Sequence, residues 1–184
     1  MKSAQLLAGA LISMLMTTAH VSNSHAATTR SPAVRIENGT LVNSRAGYYF
    51  AMPAGWVLDS ASDYEHVTVK HPESGAVFSV DYDHASGTPS MYYTSMLWSL
   101  ESPDNKWLSF GKGQVMLGGR EAMGFRGTRE KDGRKVKELI WVALDGEYVY
   151  LLLSRVDLAK FDERAPQIDQ MFSSFSWGTP PGTR

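Results

Sequence analysis

The chain has 184 residues, 43% of them hydrophobic and 20% charged, a formal net charge of −1 and no cysteine. The composition is that of a globular protein, and the near-zero charge offers no electrostatic grip on nucleic acid, which needs a clearly basic face. The absence of cysteine excludes disulfides, thiolate metal sites, a cysteine nucleophile and the lipid anchor that a lipoprotein carries on a cysteine.

At the start, Lys2 precedes an apolar run from Leu6 to Met16 that only Gly9 and Ser13 interrupt, and Ser24-His25-Ala26 then offers small residues flanking a cleavage point. This is the pattern of a secretory signal peptide over 1–26. A transmembrane anchor is the other reading, but the run has about half the length a bilayer-spanning helix needs. Cleavage near Ala26 implies an exported protein, periplasmic or extracellular. The polar, aperiodic stretch 27–32 is expected to be a flexible lead-in, so that 27–46 holds this lead-in and an N-terminal hairpin. By the same logic 178–184 (GTPPGTR) is expected to be a disordered tail, leaving 47–177 as one domain.

Hairpin signals follow one another along the chain. Asn38-Gly39, Asp132-Gly133 and Asp145-Gly146 each sit between strand-like segments, and Asn, Asp and Gly best tolerate the positive φ that a type I′ turn demands. Pro72 to Gly75 (PESG) joins HVTVKH to AVFSVDYDH in a fourth. In Tyr48 to Met52, Tyr48 and Phe50 face one way and Tyr49 the other; Pro53 cannot donate to a ladder and ends the strand, Gly55 permits a turn, and Trp56 folds back over the sheet. A two-residue loop at Asp145-Gly146 sets Val142 against Val149 and Ile140 against Leu151, and both faces of this strand pair are apolar. A sheet with one wet face alternates; this pair does not, so covers are expected on both sides.

Two helices are available as covers. Thr88-Pro89 reads as an N-cap and a first-turn proline, after which Tyr92, Tyr93, Met96, Leu97 and Leu100 form one stripe. The second helix begins near Pro166, with Ile168, Met171 and Phe172 as its apolar face and Phe175 and Trp177 following in a short strand. The fold class these signals compose is α+β: an antiparallel sheet flanked by helices on both faces, an α/β/α sandwich.

Few residues point to chemistry. If the PESG loop has four residues, His66 lies opposite Asp81 with Asp83 further along the same face, while His71 and His84 are elsewhere. Imidazole and carboxylates on one face suit zinc or manganese; the other reading is a cross-strand His–Asp pair worth about 0.2–1 kcal/mol. Ser109-Phe110-Gly111-Lys112 matches Ser-x-x-Lys, but that catalytic arrangement needs a helix and the glycines oppose one. The basic residues around Asp132-Gly133 (Arg126, Arg129, Lys131, Arg134, Lys135, Lys137) are interleaved with Glu130 and Glu138 and read as a solvated hairpin edge. On the first helix, Met91 and Trp98 point away from the stripe, available to a partner or covered by another part of the chain. No motif calls for a cofactor.

YYFAMPAGW, the PESG hairpin, VMLGGREAMGF, GEYVYLLLSR and FDERAPQIDQMFSSF, with Ser174-Phe175 closing the last helix, together resemble the PsbP/DcrB-like domain family over 47–177. The resemblance implies an antiparallel sheet with helices on both faces. It implies no catalytic set, because the family's members are mostly non-enzymatic: photosystem accessory proteins, bacterial envelope proteins, secretion chaperones and a nuclear-import factor. The chain departs from DcrB-type members in lacking a lipid-bearing cysteine. The expectation is therefore a non-enzymatic, exported accessory or binding protein of the bacterial cell envelope, with a protein partner met through Met91 and Trp98, no nucleic acid, no membrane span and no lipid anchor. The alternatives are a metal-dependent hydrolase using His66, Asp81 and Asp83, and a periplasmic inhibitor or immunity protein.

Overall fold

The computed structural model describes residues 33–84, 87–178 and 180. The expected signal peptide, the lead-in 27–32 and most of the tail lie outside these residues. The elements run β1 (Val34–Glu37), β2 (Thr40–Asn43), β3 (Tyr48–Ala51), β4 (Val57–Leu58), β5 (His66–His71), β6 (Ala76–His84), α1 (Pro89–Leu100), β7 (Trp107–Leu117), β8 (Arg120–Lys131), β9 (Arg134–Asp145), β10 (Tyr148–Asp157), α2 (Phe161–Ser174) and β11 (Ser176–Trp177). Short 3-10 turns at Pro103–Asn105 and Leu158–Lys160 lead into β7 and α2. The strands form two sheets, β1-β2-β3-β11 and β4-β5-β6-β10-β9-β8-β7, in which neighbours pair antiparallel.

Local turn chemistry sets the hairpins. Asn38-Gly39 and Asp132-Gly133 have φ of 48° and 73°, and of 51° and 72°, the doubly positive geometry of a type I′ turn. Gly118-Gly119, at 55° and 83°, makes the same kind of turn between β7 and β8, a hairpin the sequence analysis does not anticipate. The PESG register is as expected, with His71 opposite Ala76 and His66 opposite Asp81. The last hairpin differs. Asp145 pairs with Tyr148, so the loop is Gly146-Glu147, and Val142 opposes Leu151 rather than Val149. Of those loop residues only Gly146 has positive φ (60°), which is what a type II′ turn with glycine first needs. The slip is two residues, so each side chain keeps its expected face.

The two faces of the central strands carry two separate cores. Phe125, Ile140, Val142, Val149, Leu151 and Leu153 form one, covered by the Tyr92, Tyr93, Met96, Leu97 and Leu100 stripe of α1. On the other face, Phe78, Val80, Trp141, Tyr150 and Leu152 meet Leu41, Tyr48 and Phe50 of the small sheet and Ile168 and Met171 of α2. The fold is thus α+β and antiparallel, but this second face is covered by a small sheet together with α2, where the sequence analysis expects a helical layer. The rings of the YYF strand explain the difference: Tyr48 stacks on Phe175 at 5.3 Å and Phe50 meets Phe78 at 5.1 Å. This strand pairs with β2 on one side and with the distant β11 on the other, building a sheet of its own. The β1–β2 hairpin belongs to the same core through Val34 and Leu41.

Trp56 is buried edge-on against His71, with its Nε1 donating to Gln167 Oε1 at 3.1 Å. Helix α2 starts five residues before Pro166, which lies inside it, rather than at the proline. Asp157 caps the preceding 3-10 turn by accepting from the Ala159 N–H at 2.9 Å. That turn delivers an already coiled backbone, so the proline forgoes one bond, to residue 162, without ending the helix.

Candidate interaction surface

Helix α1 has the sequence PSMYYTSMLWSL and carries no charged residue. Thr88 caps its start, accepting from the Met91 N–H at 3.4 Å. Tyr93 stacks on Phe125 at 5.2 Å, and Phe110 also stacks on Phe125, at 5.4 Å. Yet the stripe residues are only half-buried, and on the outer flank Met91 is 58% and Trp98 73% exposed. The outer flank carries Ser90, Thr94, Ser95 and Ser99 around these two large side chains. This flank is open among the described residues, in keeping with the off-stripe positions of Met91 and Trp98.

The C-terminal end of α1 is fixed to the sheet by side chains. Asn105 Nδ2 donates to the Leu100 carbonyl at 3.3 Å and Trp107 Nε1 to the same oxygen at 2.6 Å, satisfying an acceptor that the helix leaves open. Asn105 Oδ1 in turn accepts from Arg129 Nη1 at 3.1 Å. Arg129 reaches both oxygens of Glu138, Nε to Oε2 at 2.7 Å and Nη2 to Oε1 at 3.1 Å, and Arg155 Nε holds Oε1 from the other side. Glu138 is fully buried. Burial pushes its carboxyl pKa up, but the guanidinium charges of Arg155 and Arg129 outweigh it and hold the group below the ordinary glutamate range. The basic stretch around Asp132-Gly133 is therefore not simply a solvated edge. Glu138 falls on the α1-side face between Val136 and Ile140, and only the pairing of β9 with β10 brings Arg155 opposite it. The clue in the sequence is the alternation: counting along β9 places Glu138 with Ile140 and Val142.

The other sequence candidates are placed as follows. His66 Nδ1 and Asp81 Oδ1 are 3.2 Å apart. The hydrogen bond to Asp81 raises the His66 pKa above its usual value, against the opposing effect of partial burial. Asp83 is not drawn into this pair; its carboxylate accepts from the His84 N–H at 2.7 Å. No group of three or more His, Cys, Asp or Glu among the described residues is placed to hold a metal ion. His71 is buried on the opposite face, and His84 lies edge-on to Tyr148, 3.3 Å from Glu147. Ser109 to Lys112 runs extended within β7, so Lys112 does not reach back to Ser109; it pairs with Glu101 at 3.1 Å. No helix among the described residues is long and apolar enough to cross a membrane.

No protein-family model matches the chain, and no curated protein matches it in sequence. Solved structures do match in fold. LpqN of Mycobacterium tuberculosis, described as involved in cell envelope biogenesis, superposes with a TM-score of 0.58 at 12% identity over 72% of this chain and 83% of its own. The cyanobacterial PsbP of Synechocystis superposes with a TM-score of 0.52 at 14% identity, over 84% of this chain and 98% of its own. The chain has a PsbP-like fold. A Bacteroides thetaiotaomicron protein shares it with a TM-score of 0.54 at 11% identity, this chain spanning 51% of its length. A PsbP-like fold by itself carries no catalytic residues to transfer, so function rests on the surfaces described above.

Proposed function

We propose that this protein is an exported, non-catalytic accessory protein of the bacterial cell envelope that acts by protein–protein contact through the outer flank of α1. The observation that carries this reading is Trp98, 73% exposed on an uncharged helix whose inner stripe already satisfies the core. Large aromatic and methionine side chains are the residues most enriched where proteins meet, and Trp is the commonest energetic anchor. The envelope role described for LpqN and the signal-peptide pattern over 1–26 support the compartment.

The test is a pair of variants measured for stability and for partner capture, using a photo-crosslinker at position 94, exposed on the same flank, in envelope extract and mass spectrometry of the adducts. Trp98→Ala leaves the urea midpoint nearly unchanged, within the roughly 0.5 kcal/mol expected of a surface site. It weakens binding of the captured partner by about 2 kcal/mol, roughly 30-fold. Tyr93→Ala, stacked on Phe125, destabilises the domain by about 2 kcal/mol and affects binding only through the fold. Trp98→Ala melting the domain as badly as Tyr93→Ala would make Trp98 a core residue and remove the proposal.

A further inference from the structure

We propose that the α1-side face of the large sheet carries an oxyanion site, built on Arg155, Lys131 and Arg134, that takes a phosphate group. This site is independent of the α1 flank and rests on different residues. It arises because strand alternation sorts the basic run of the β8–β9 hairpin. Arg129 and Lys131 share a face with Phe125 on β8, and Arg134 and Glu138 share it with Ile140 on β9. Arg155 joins them from β10, opposite Glu138. Arg126, Lys135 and Lys137 fall on the other face, where Lys137 lies 5.7 Å from the centre of the Phe161 ring.

The two arginines are not equivalent. Arg129 is enclosed, with Nη2 donating to Glu138 Oε1, Nη1 to Asn105 Oδ1, and its buried Nε facing Glu138 Oε2 at 2.7 Å as an ion pair without a directed hydrogen bond. Arg155 bonds Glu138 through Nε alone, and no other acceptor meets its guanidinium among the described residues, although its side chain is only 20% exposed. The fully buried Glu138 thus fixes the inner edge of Arg155 and leaves its two terminal nitrogens preorganised and unspent. Lys131 stands half-buried on the same face, and burial followed by the charges of Arg155 and Arg129 lowers its ammonium pKa. Of the carboxylates nearby, Asp157 accepts from the Ala159 N–H and Asp132 is exposed in the turn, so cations outnumber carboxylates with either counted. A positively charged, partly desolvated cluster held in place by a buried carboxylate is relieved by an incoming anion. The two free nitrogens of Arg155 match two oxygens, which a carboxylate also offers. Lys131 and Arg134 address a third oxygen, which a phosphate has and a carboxylate lacks.

The source of the phosphate, a soluble ion or ester or a lipid headgroup, is separated by two arms of one experiment. The purified protein is titrated with sodium phosphate against sodium chloride at matched ionic strength, following amide and Arg Nε shifts by NMR, and is sedimented with phosphatidylcholine vesicles with and without phosphatidylglycerol. Saturable shifts around β8, β9 and β10 in phosphate alone indicate a soluble ligand, and co-sedimentation only with the phosphatidylglycerol vesicles indicates a headgroup; both support the site. Arg155→Gln disturbs Glu138 and can unfold the chain, so the deciding variant is Lys131→Gln with Arg134→Gln, which leaves the Glu138 pairs in place. It is expected to weaken whichever binding is seen at least tenfold. The control, Arg126→Gln with Lys135→Gln, changes net charge equally on the opposite face and is expected to leave binding unchanged. Absence of both responses in the unmodified protein, or equal weakening by the control, overturns the proposal.

Discussion

Replacing Trp141 by alanine tests the two-sided core directly. The indole is 8% exposed and lies across two strands, because a Cβ at Gly113 would stand 3.5 Å from its Cη2 and one at Gly124 only 2.4 Å from its Cε3. A tryptophan of this kind buries about 200 Å², which at about 25 cal/mol per Å² is worth about 5 kcal/mol as an upper bound. Glycine has no side chain with which to fill the gap, so the cavity persists and a loss of about 3–5 kcal/mol is expected. Urea melts followed by far-UV circular dichroism measure it, and a loss under about 1 kcal/mol would refute the reasoning, since that is the scale of an ordinary substitution outside the core. The glycines give an independent check. A Cβ at Gly124 would also fall 2.0 Å from the Ile140 carbonyl oxygen, backbone that cannot swing aside, so Gly124→Ala is expected to cost about 1–3 kcal/mol. Gly113→Ala meets the indole at ordinary contact distance and is expected to stay within about 0.5 kcal/mol. Equal costs for the two would mean that the indole does not lie over Gly124.

The remaining expectations concern charge. Glu138→Ala strands two part-buried arginines and should cost about 3–5 kcal/mol in the same melts. Because the Glu138 carboxyl is held below its ordinary value of 4.5, its contribution is complete above that pH and is lost as pH falls through the lower folded value. The acid limb of stability against pH should therefore be flatter in Glu138→Gln, and an unchanged limb would count against the network. His66 should titrate by NMR above its ordinary 6.5, and Asp81→Asn should bring it down. The sign is opposite here: the pair stabilises fully below 6.5 and the gain is lost as pH rises through the folded value. A midpoint at or below 6.5 that ignores Asp81→Asn would remove the pair.

The legible parts of the site were those set by local periodicity. The helical spacing of Tyr92, Tyr93, Met96, Leu97 and Leu100 put Met91 and Trp98 on the outer flank, and the length of the PESG loop put His66 opposite Asp81. Asp83 shows the limit of such counting. β5 begins at His66, so no residue of β5 stands opposite Asp83, and its carboxylate accepts from the adjacent His84 N–H instead. The Arg129–Glu138–Arg155 network was hidden because its members come from three strands, and a charged residue in a basic run looks solvated until both neighbouring strands are in place.

The sequence by itself determined the turns at Asn38-Gly39, Pro72–Gly75 and Asp132-Gly133, the facing of side chains along β9 and β10 and the apolar stripe of α1. These follow from the steric limits on φ and from the two- and 3.6-residue periods, which act between residues close in the chain. The tertiary structure alone decided that β3 would leave the large sheet and pair with β11 through Tyr49 and Ser176, that α2 would begin before its proline, and that Glu138 would be sealed between two arginines. Each of those outcomes depends on burial shared between segments far apart in the chain. The free energy of burying a ring or a carboxylate depends on what covers it, and the covering residues are not encoded in its neighbourhood.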